Sequence, residues 1–313
     1  MLGFSLLGAG RVNAQKVFTI GSLNTADQFL DAFTGFKVRM AELGYKEGQN
    51  VRYEYHNSKG NAEALKAIAQ KLVRDRVDMI VTTATTGAVA AAKATAGTTI
   101  PVVFLSAGNP EKLVKNYTTS GSNLAGISSA SLELTGKRFE LLKELAPRVS
   151  RIAMPVDVKG VNYPAITAEA HDSAAKLGLM IQEIPVRSVT EIPAAVAAVD
   201  RRNYDAVFSP ADTVISEGIE AVVEQALKEK LPSITSLLVN VRRGCLATYA
   251  ADYPSLGRQG AALTDKILKG IKPADLPIEL PNKINLVLNL KTAKAIGLTI
   301  PKAMLLRADE VFE

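Results

Sequence analysis

One cysteine, Cys245, and no tryptophan occur among the 313 residues. A lone thiol forms no internal disulfide and supplies no cysteine-based metal cluster. The two histidines, His56 and His171, stand far apart without HxxxH-type spacing, and His171 sits among helical surface residues. Metal catalysis is therefore not expected, although sites built from carboxylates alone stay open. No apolar stretch approaches the roughly 20 uncharged residues of a membrane-spanning helix. A GxSxG nucleophile elbow, a P-loop and a GxGxxG turn are all missing, and Gly8-Ala9-Gly10 comes before any strand. Those gaps remove the commonest signatures of acyl transfer, phosphate transfer and dinucleotide binding, so no cofactor is expected.

The formal charge of +6 and a pI near 9.2 invite a nucleic-acid reading. The Lys and Arg residues are dispersed among Glu and Asp, with no basic block interleaved with aromatics, which describes a solvated surface instead. Hydrophobic content of 47% and charged content of 22% are ordinary for a soluble globular protein. The length fits two lobes of about 150 residues each. Met1–Ala14 reads as the tail of a secretory leader: a short apolar segment ends in Val12-Asn13-Ala14, close to an A-x-A cleavage site, without the basic start. Export is expected.

From Val17 the pattern alternates strand and helix with short connections. Val17–Leu23 is a strand, Asp27–Leu43 has helical spacing stopped by Gly44, and Val51–Tyr55, Ala62–Arg74 and Val77–Val81 continue the rhythm. A helix near Thr86 and a strand at Val102–Leu105 follow. After Pro147 the rhythm resumes: strands at Arg151–Met154, Met180–Pro185, Ala206–Ser209 and Ser233–Ser236 alternate with helices at Pro164–Leu177, Glu191–Ala198 and Gly218–Lys228. This predicts an α/β fold of two doubly wound parallel-sheet lobes in tandem. Such sheets bind ligands at the carboxyl ends of their strands.

Polar and turn-forming residues gather at those ends. They include Ser22-Leu23-Asn24-Thr25, Thr82–Thr86, Ser106-Ala107-Gly108-Asn109-Pro110, Asp157–Asn162 and Ser209-Pro210-Ala211-Asp212-Thr213. The richest is the run into Thr82, Thr83, Thr85 and Thr86 before an alanine-rich helix. Free N–H groups and the positive end of a helix dipole make an anion cradle there. An ordinary strand–helix junction with a threonine N-cap has the same composition.

Several segments resemble the ABC-transporter substrate-binding proteins of the tryptophan/tyrosine-binding type. They are Phe36–Val51, Val77–Thr86, Ser128-Ser129 with Leu134-Thr135-Gly136-Lys137-Arg138, Asp265–Pro277 and Leu286–Ala308. The resemblance implies the type I periplasmic-binding-protein fold, with two lobes joined by three hinge crossovers near Ile127–Leu132, Ala247–Ala251 and Leu280–Ile284. Lobe 1 would take 17–126 and 252–279, and lobe 2 would take 127–251 and 280–313. It also implies a small organic solute, an amino acid or related carboxylate, held in the cleft for delivery to an ABC permease. The setting would be periplasmic, with a monomeric carrier, no catalysis and no nucleic acid.

By the same resemblance, Thr83, Thr85 and Thr86 with Ser106 and Ala107 would receive a carboxylate. Asp212 or Asp252 would meet an ammonium group, although both suit turn or cap aspartates. Tyr249 and Tyr253 would supply ring contacts or hinge packing. Ser22, Asn24, Asn109, Asn162 and Thr213 complete the expected site. Departures bear on ligand identity: Asn109-Pro110 stands where the family commonly has Asp-Pro, and Asp157–Asn162 is an atypical loop. Two other readings stay open. One is a cytoplasmic ligand sensor of this fold, which normally carries a helix-turn-helix that the residues before Val17 cannot hold. The other is a Rossmann-like enzyme, whose acid–base pair finds no histidine at the strand ends.

Overall fold

Short apolar strands and one-faced helices alternate from Phe18 onward in the computed structural model, which describes residues 16–114 and 116–313. The leader-like segment lies outside the described residues. The first elements are β1 (Phe18–Asn24), α1 (Leu30–Glu42), β2 (Val51–Asn57), α2 (Ala62–Arg74), β3 (Met79–Thr82), α3 (Ala84–Ala94), β4 (Val102–Ala107) and β5 (Leu124–Ser128). β3 and β4 are buried along their whole length, as strands covered on both faces must be. α2 buries Leu65, Ala69 and Leu72 on one face, and the Asn61 side chain caps it by accepting from the Ala64 N–H.

The chain then builds a second sheet. Its elements are α4 (Thr135–Leu145), β6 (Arg151–Asp157), α5 (Tyr163–Lys176), β7 (Met180–Val186), α6 (Ile192–Val196), β8 (Ala206–Ser209), α7 (Thr213–Glu217), α8 (Ile219–Lys228), β9 (Ser233–Thr235), α9 (Leu238–Arg242) and β10 (Ala247–Ala251). It returns to the first sheet with α10 (Tyr253–Leu268) and β11 (Ile278–Glu279). It ends in the second with β12 (Ile284–Asn289), α11 (Leu290–Ile296), α12 (Lys302–Arg307) and β13 (Glu310–Phe312).

The first sheet runs β11-β5-β4-β3-β1-β2 with every pairing parallel. The second runs β13-β12-β10-β9-β8-β6-β7 and is parallel except where β10 meets β12. The fold is thus the expected pair of α/β lobes, with one antiparallel pairing that the strand–helix rhythm did not announce. Ala247–Ala251, expected as a crossover, forms the strand β10: its small, mostly buried residues lie between β9 and β12. The passage back to the first sheet is compressed into Asp252.

Two glycines fix α10 against the first sheet's α1. A Cβ on Gly257 would lie 1.8 Å from the Ala32 carbonyl oxygen, and one on Gly35 2.1 Å from that of Pro254. Each helix therefore meets its partner's backbone directly, an approach only glycine permits. The two faces of each sheet carry separate apolar cores. Phe36, Met40 and Leu256 belong to one core of the first lobe, and Phe139 and Phe208 to one of the second.

Strand order reverses at one place in each sheet: between β1 and β3 in the first, and between β6 and β8 in the second. Loops leaving the two strands at such a reversal diverge to opposite faces and leave a crevice at the strand ends. In this chain the two crevices face each other.

Candidate functional site

A cavity of about 620 Å³ lies between the lobes. Thr25 follows β1, and Ala84, Thr85 and Thr86 follow β3. Asp157 ends β6, with Lys159 and Asn162 after it, and Ala211, Asp212 and Thr213 follow β8; all of them line the cavity. Both reversal points therefore contribute their loops to it. Ser106 near the end of β4, Gly108 just after it, and Ser129 and Ser131 after β5 line it as well.

The first-lobe wall is rich in hydroxyls, and their bonding separates structural from available groups. Ser106 Oγ accepts from the Ala84 N–H at 3.2 Å, and Thr85 Oγ1 accepts from the Asn109 N–H at 3.0 Å. Both loops are braced in this way. By contrast, Thr86 Oγ1 and Ser131 Oγ are buried without any hydrogen-bond partner among the described residues. Ala84 (φ 56°) and Ala130 (φ 50°) both adopt the left-handed region. That conformation costs a non-glycine residue about 1–2 kcal/mol, and such strain concentrates at functional sites. Each strained alanine adjoins residues that line the cavity.

The second-lobe wall carries two carboxylates. Asp212 caps α7 by accepting from the Val214 and Ile215 N–H groups at 2.8 and 3.1 Å, and it also accepts from the Asp157 N–H at 3.0 Å. Burial, with the Asp157 charge adding to it, pushes Asp212 up to about 6 despite those three bonds. Asp157 Oδ1 accepts from the Lys159 N–H at 2.9 Å. An apolar flank joins the walls. Phe29 and Tyr253 stack with centroids 5.8 Å apart, beside Leu237. The lobes also touch: Gln28 Nε2 donates to the Thr213 carbonyl at 3.4 Å, and Arg242 lies 3.9 Å from Asp31.

Of the residues expected from sequence, Thr85, Thr86, Ser106, Asn162, Asp212 and Thr213 line this cavity. The others are committed elsewhere. Ser22 lies inside β1, in register with Tyr55 and Val81. Thr83 Oγ1 donates to Asn24 Oδ1 at 2.7 Å, while Asn24 Nδ2 donates to the Ala26 carbonyl, so the two residues lock adjacent strand ends. The Ala107 carbonyl accepts from the Ser129 N–H, and Asn109 meets the site through its backbone bond to Thr85. Tyr249, on β10, packs against the second-lobe core. Asp252 caps α10 by accepting from the Ser255 N–H, binds Asn285 Nδ2 at 3.0 Å and borders a separate cavity of about 200 Å³. Sequence reasoning passed over Asp157, Ser129, Ser131 and Phe29 as site residues. Asp157 and the serines stood in segments already singled out, but only three-dimensional strand order tells which polar ends meet.

Comparison with known proteins agrees in shape and sequence. A family model described as ABC transporter substrate binding protein matches residues 22–312. A tyrosine-binding protein of Clostridioides difficile (strain R20291) is 28% identical over 287 residues, covering 91% of this chain and 81% of that protein. The crystal structure of an ABC domain in complex with L-Trp from Streptococcus pneumonia is 30% identical. It superposes with a TM-score of 0.88 over 95% of this chain and 100% of that one. The ligand-free, open structure of a substrate-binding protein with adhesive properties from Clostridium difficile is 25% identical. Its TM-score is 0.70 over 95% of this chain and 99% of the other.

Proposed function

The chain belongs to the ABC transporter substrate-binding protein family, and from that premise we propose that it captures an amino acid, an aromatic one favoured, between its lobes for an ABC permease. The observation that carries this reading is the cavity's polarity. Unpartnered hydroxyls and the N-terminus of α3 stand on one wall, and the carboxylates of Asp157 and Asp212 on the other. That spacing of opposite preferences suits a zwitterion, with hydroxyls and N–H groups on its carboxylate and aspartates on its ammonium group. The stacked Phe29–Tyr253 pair offers an apolar face beside which a side chain can lie.

The assignment of residues follows the available groups. Thr86 and Ser131 meet the carboxylate, with Thr85 and Ser106 holding their loops. Asp212 and Asp157 meet the ammonium group. Asn162 and Thr213 sit at the second-lobe edge. Asp252, one of two candidates for the ammonium on sequence alone, belongs instead to the start of α10. The relatives support the ligand class, since one is named for tyrosine and another was crystallised with L-Trp. The larger shape overlap with the L-Trp complex than with the open, ligand-free structure supports reading the lobes as drawn together. A solute that touches both walls stabilises that arrangement by its differential contacts.

Membership in the family supports a carrier rather than an enzyme, working outside the cytoplasm. We place it in the periplasm as a monomer that meets its permease through the closed lobes. The test is a thermal-shift screen of the full chain against the protein amino acids, aromatic acids and nucleobases. The reading expects an amino acid to raise the melting temperature in a concentration-dependent way. A response confined to nucleobases, or none at all, would remove it.

A further inference from the structure

The arginine in the first turn of α4 has no counter-charge among the described residues. Arg138 is a large, fully buried side chain, with 0% of its surface exposed. Its Nε donates to the Tyr249 carbonyl at 2.9 Å and its Nη1 to the Ser131 carbonyl at 2.7 Å, while Nη2 has no partner among the described residues. Both acceptors are neutral. The negative groups that act on it at all are Glu133, which is exposed, and the Tyr253 phenol, which burial keeps protonated. Its place near the positive end of the α4 dipole adds to the deficit. A buried charge without a partner is strongly disfavoured, and here burial holds the guanidinium down to about 9.

Arg138 does not itself line the cavity, but a residue it holds does. Ser131 holds Nη1 through its carbonyl and lines the cavity, where its own hydroxyl is buried and unpartnered. The left-handed backbone at Ala130 sets Ser129 and Ser131 apart on this wall. Gly108 packs close beside that hydroxyl: a Cβ there would come within 2.5 Å of Ser131 Oγ. One residue of the cavity wall thus carries a free hydroxyl and holds the uncompensated cation through its carbonyl.

We propose that Arg138 is a positioning residue for the ligand's carboxylate, which sits on the Ser131 hydroxyl at the crossover end of the cavity with the guanidinium behind it as its opposite charge. The proposal rests on the amino-acid reading above and deepens it. Sequence reasoning expected the anion to be held by hydroxyls and N–H groups alone, so the buried cation is a departure from that expectation. Arg138 also ties the first passage between the lobes, at Ser131, to the middle of β10, the strand that leads into the second. A bound anion therefore strengthens the same group that joins the two passages.

The experiment compares the tightest-binding amino acid from the screen with its carboxamide, by titration calorimetry on the full chain. The wild type is expected to prefer the carboxylate by about 30-fold or more. Arg138→Gln should reduce that ratio to a few-fold, and Arg138→Lys should restore part of it. A structural role would weaken both ligands equally and leave the ratio unchanged, and that result overturns the proposal. Equal binding of both ligands by the wild type overturns it as well. If the variants fail to fold, arginine side-chain 15N spectra of the wild type decide: the carboxylate ligand must shift the Arg138 Nε signal and the amide must not. Absence of binding by any amino acid is a different result, which removes the functional reading itself and the proposal with it.

Discussion

The backbone N–H of Asp157 donates to the Asp212 carboxylate at 3.0 Å. This bond joins the ends of β6 and β8, the two strands that flank the reversal point of the second sheet. It fixes two aspartates at one wall of the inter-lobe cavity, one of which burial has made reluctant to ionise.

The first prediction concerns pH. Asp212 is raised from 3.8 to about 6, so the native state keeps a proton that the unfolded chain loses at lower pH. The stability this group contributes is full below about 4 and is lost as pH rises through about 6. Ligand binding has the opposite sign, because an ammonium group requires the ionised form. Affinity for an amino acid should be level above about 7 and about tenfold weaker near pH 5. Asp212→Asn should flatten that profile, as read by calorimetry at both pH values.

Two adjacent threonines should behave differently. Thr85→Val leaves the buried Asn109 N–H without its acceptor, which should cost about 1–3 kcal/mol of stability in urea denaturation. Thr86→Val removes a hydroxyl with no partner among the described residues, so stability should hold within about 0.5 kcal/mol. Ligand affinity should instead fall about tenfold, the loss of one hydrogen bond to a charged group. The reverse pattern would exchange their roles.

Asp252→Ala should act on folding alone. It removes the α10 cap and the Asn285 bond, at a cost of about 1 kcal/mol or somewhat more. Affinity should change less than about twofold, because Asp252 does not line the main cavity. A tenfold loss in calorimetry would return Asp252 to the binding site.

Gly257→Ala should be among the most damaging single changes. Its Cβ would meet the Ala32 carbonyl at 1.8 Å, and backbone cannot yield as a side chain can. We expect about 3 kcal/mol of destabilisation in urea denaturation. A neutral outcome would show that α1 and α10 can move apart freely.

Much of this was legible in the residues. The apolar runs at Met79–Thr82 and Ala206–Ser209, and the one-faced helix Ala62–Arg74, carry their period openly. The segments that bear the family resemblance foretold the two-lobe fold. Less visible was β10, whose small residues Ala247, Ala250 and Ala251 have no strand signature until β9 and β12 flank them. Within the site, Thr85, Thr86 and Asp212 could be picked because each follows a readable strand. Thr83 and Asn24 looked equivalent, yet their mutual hydrogen bond, formed across 59 positions, occupies both. Arg138 lay in a quoted segment as an ordinary helical arginine, because burial without a counter-ion has no one-dimensional mark.

The most direct measurement is calorimetric titration of the full chain at about pH 7.5 with L-tyrosine and L-tryptophan, each set against its decarboxylated amine. The account predicts saturable one-site binding of at least one of the two amino acids and weakening by about 30-fold or more for the amine. Equal binding of amino acid and amine, or no heat and no rise in melting temperature with either amino acid, would contradict it.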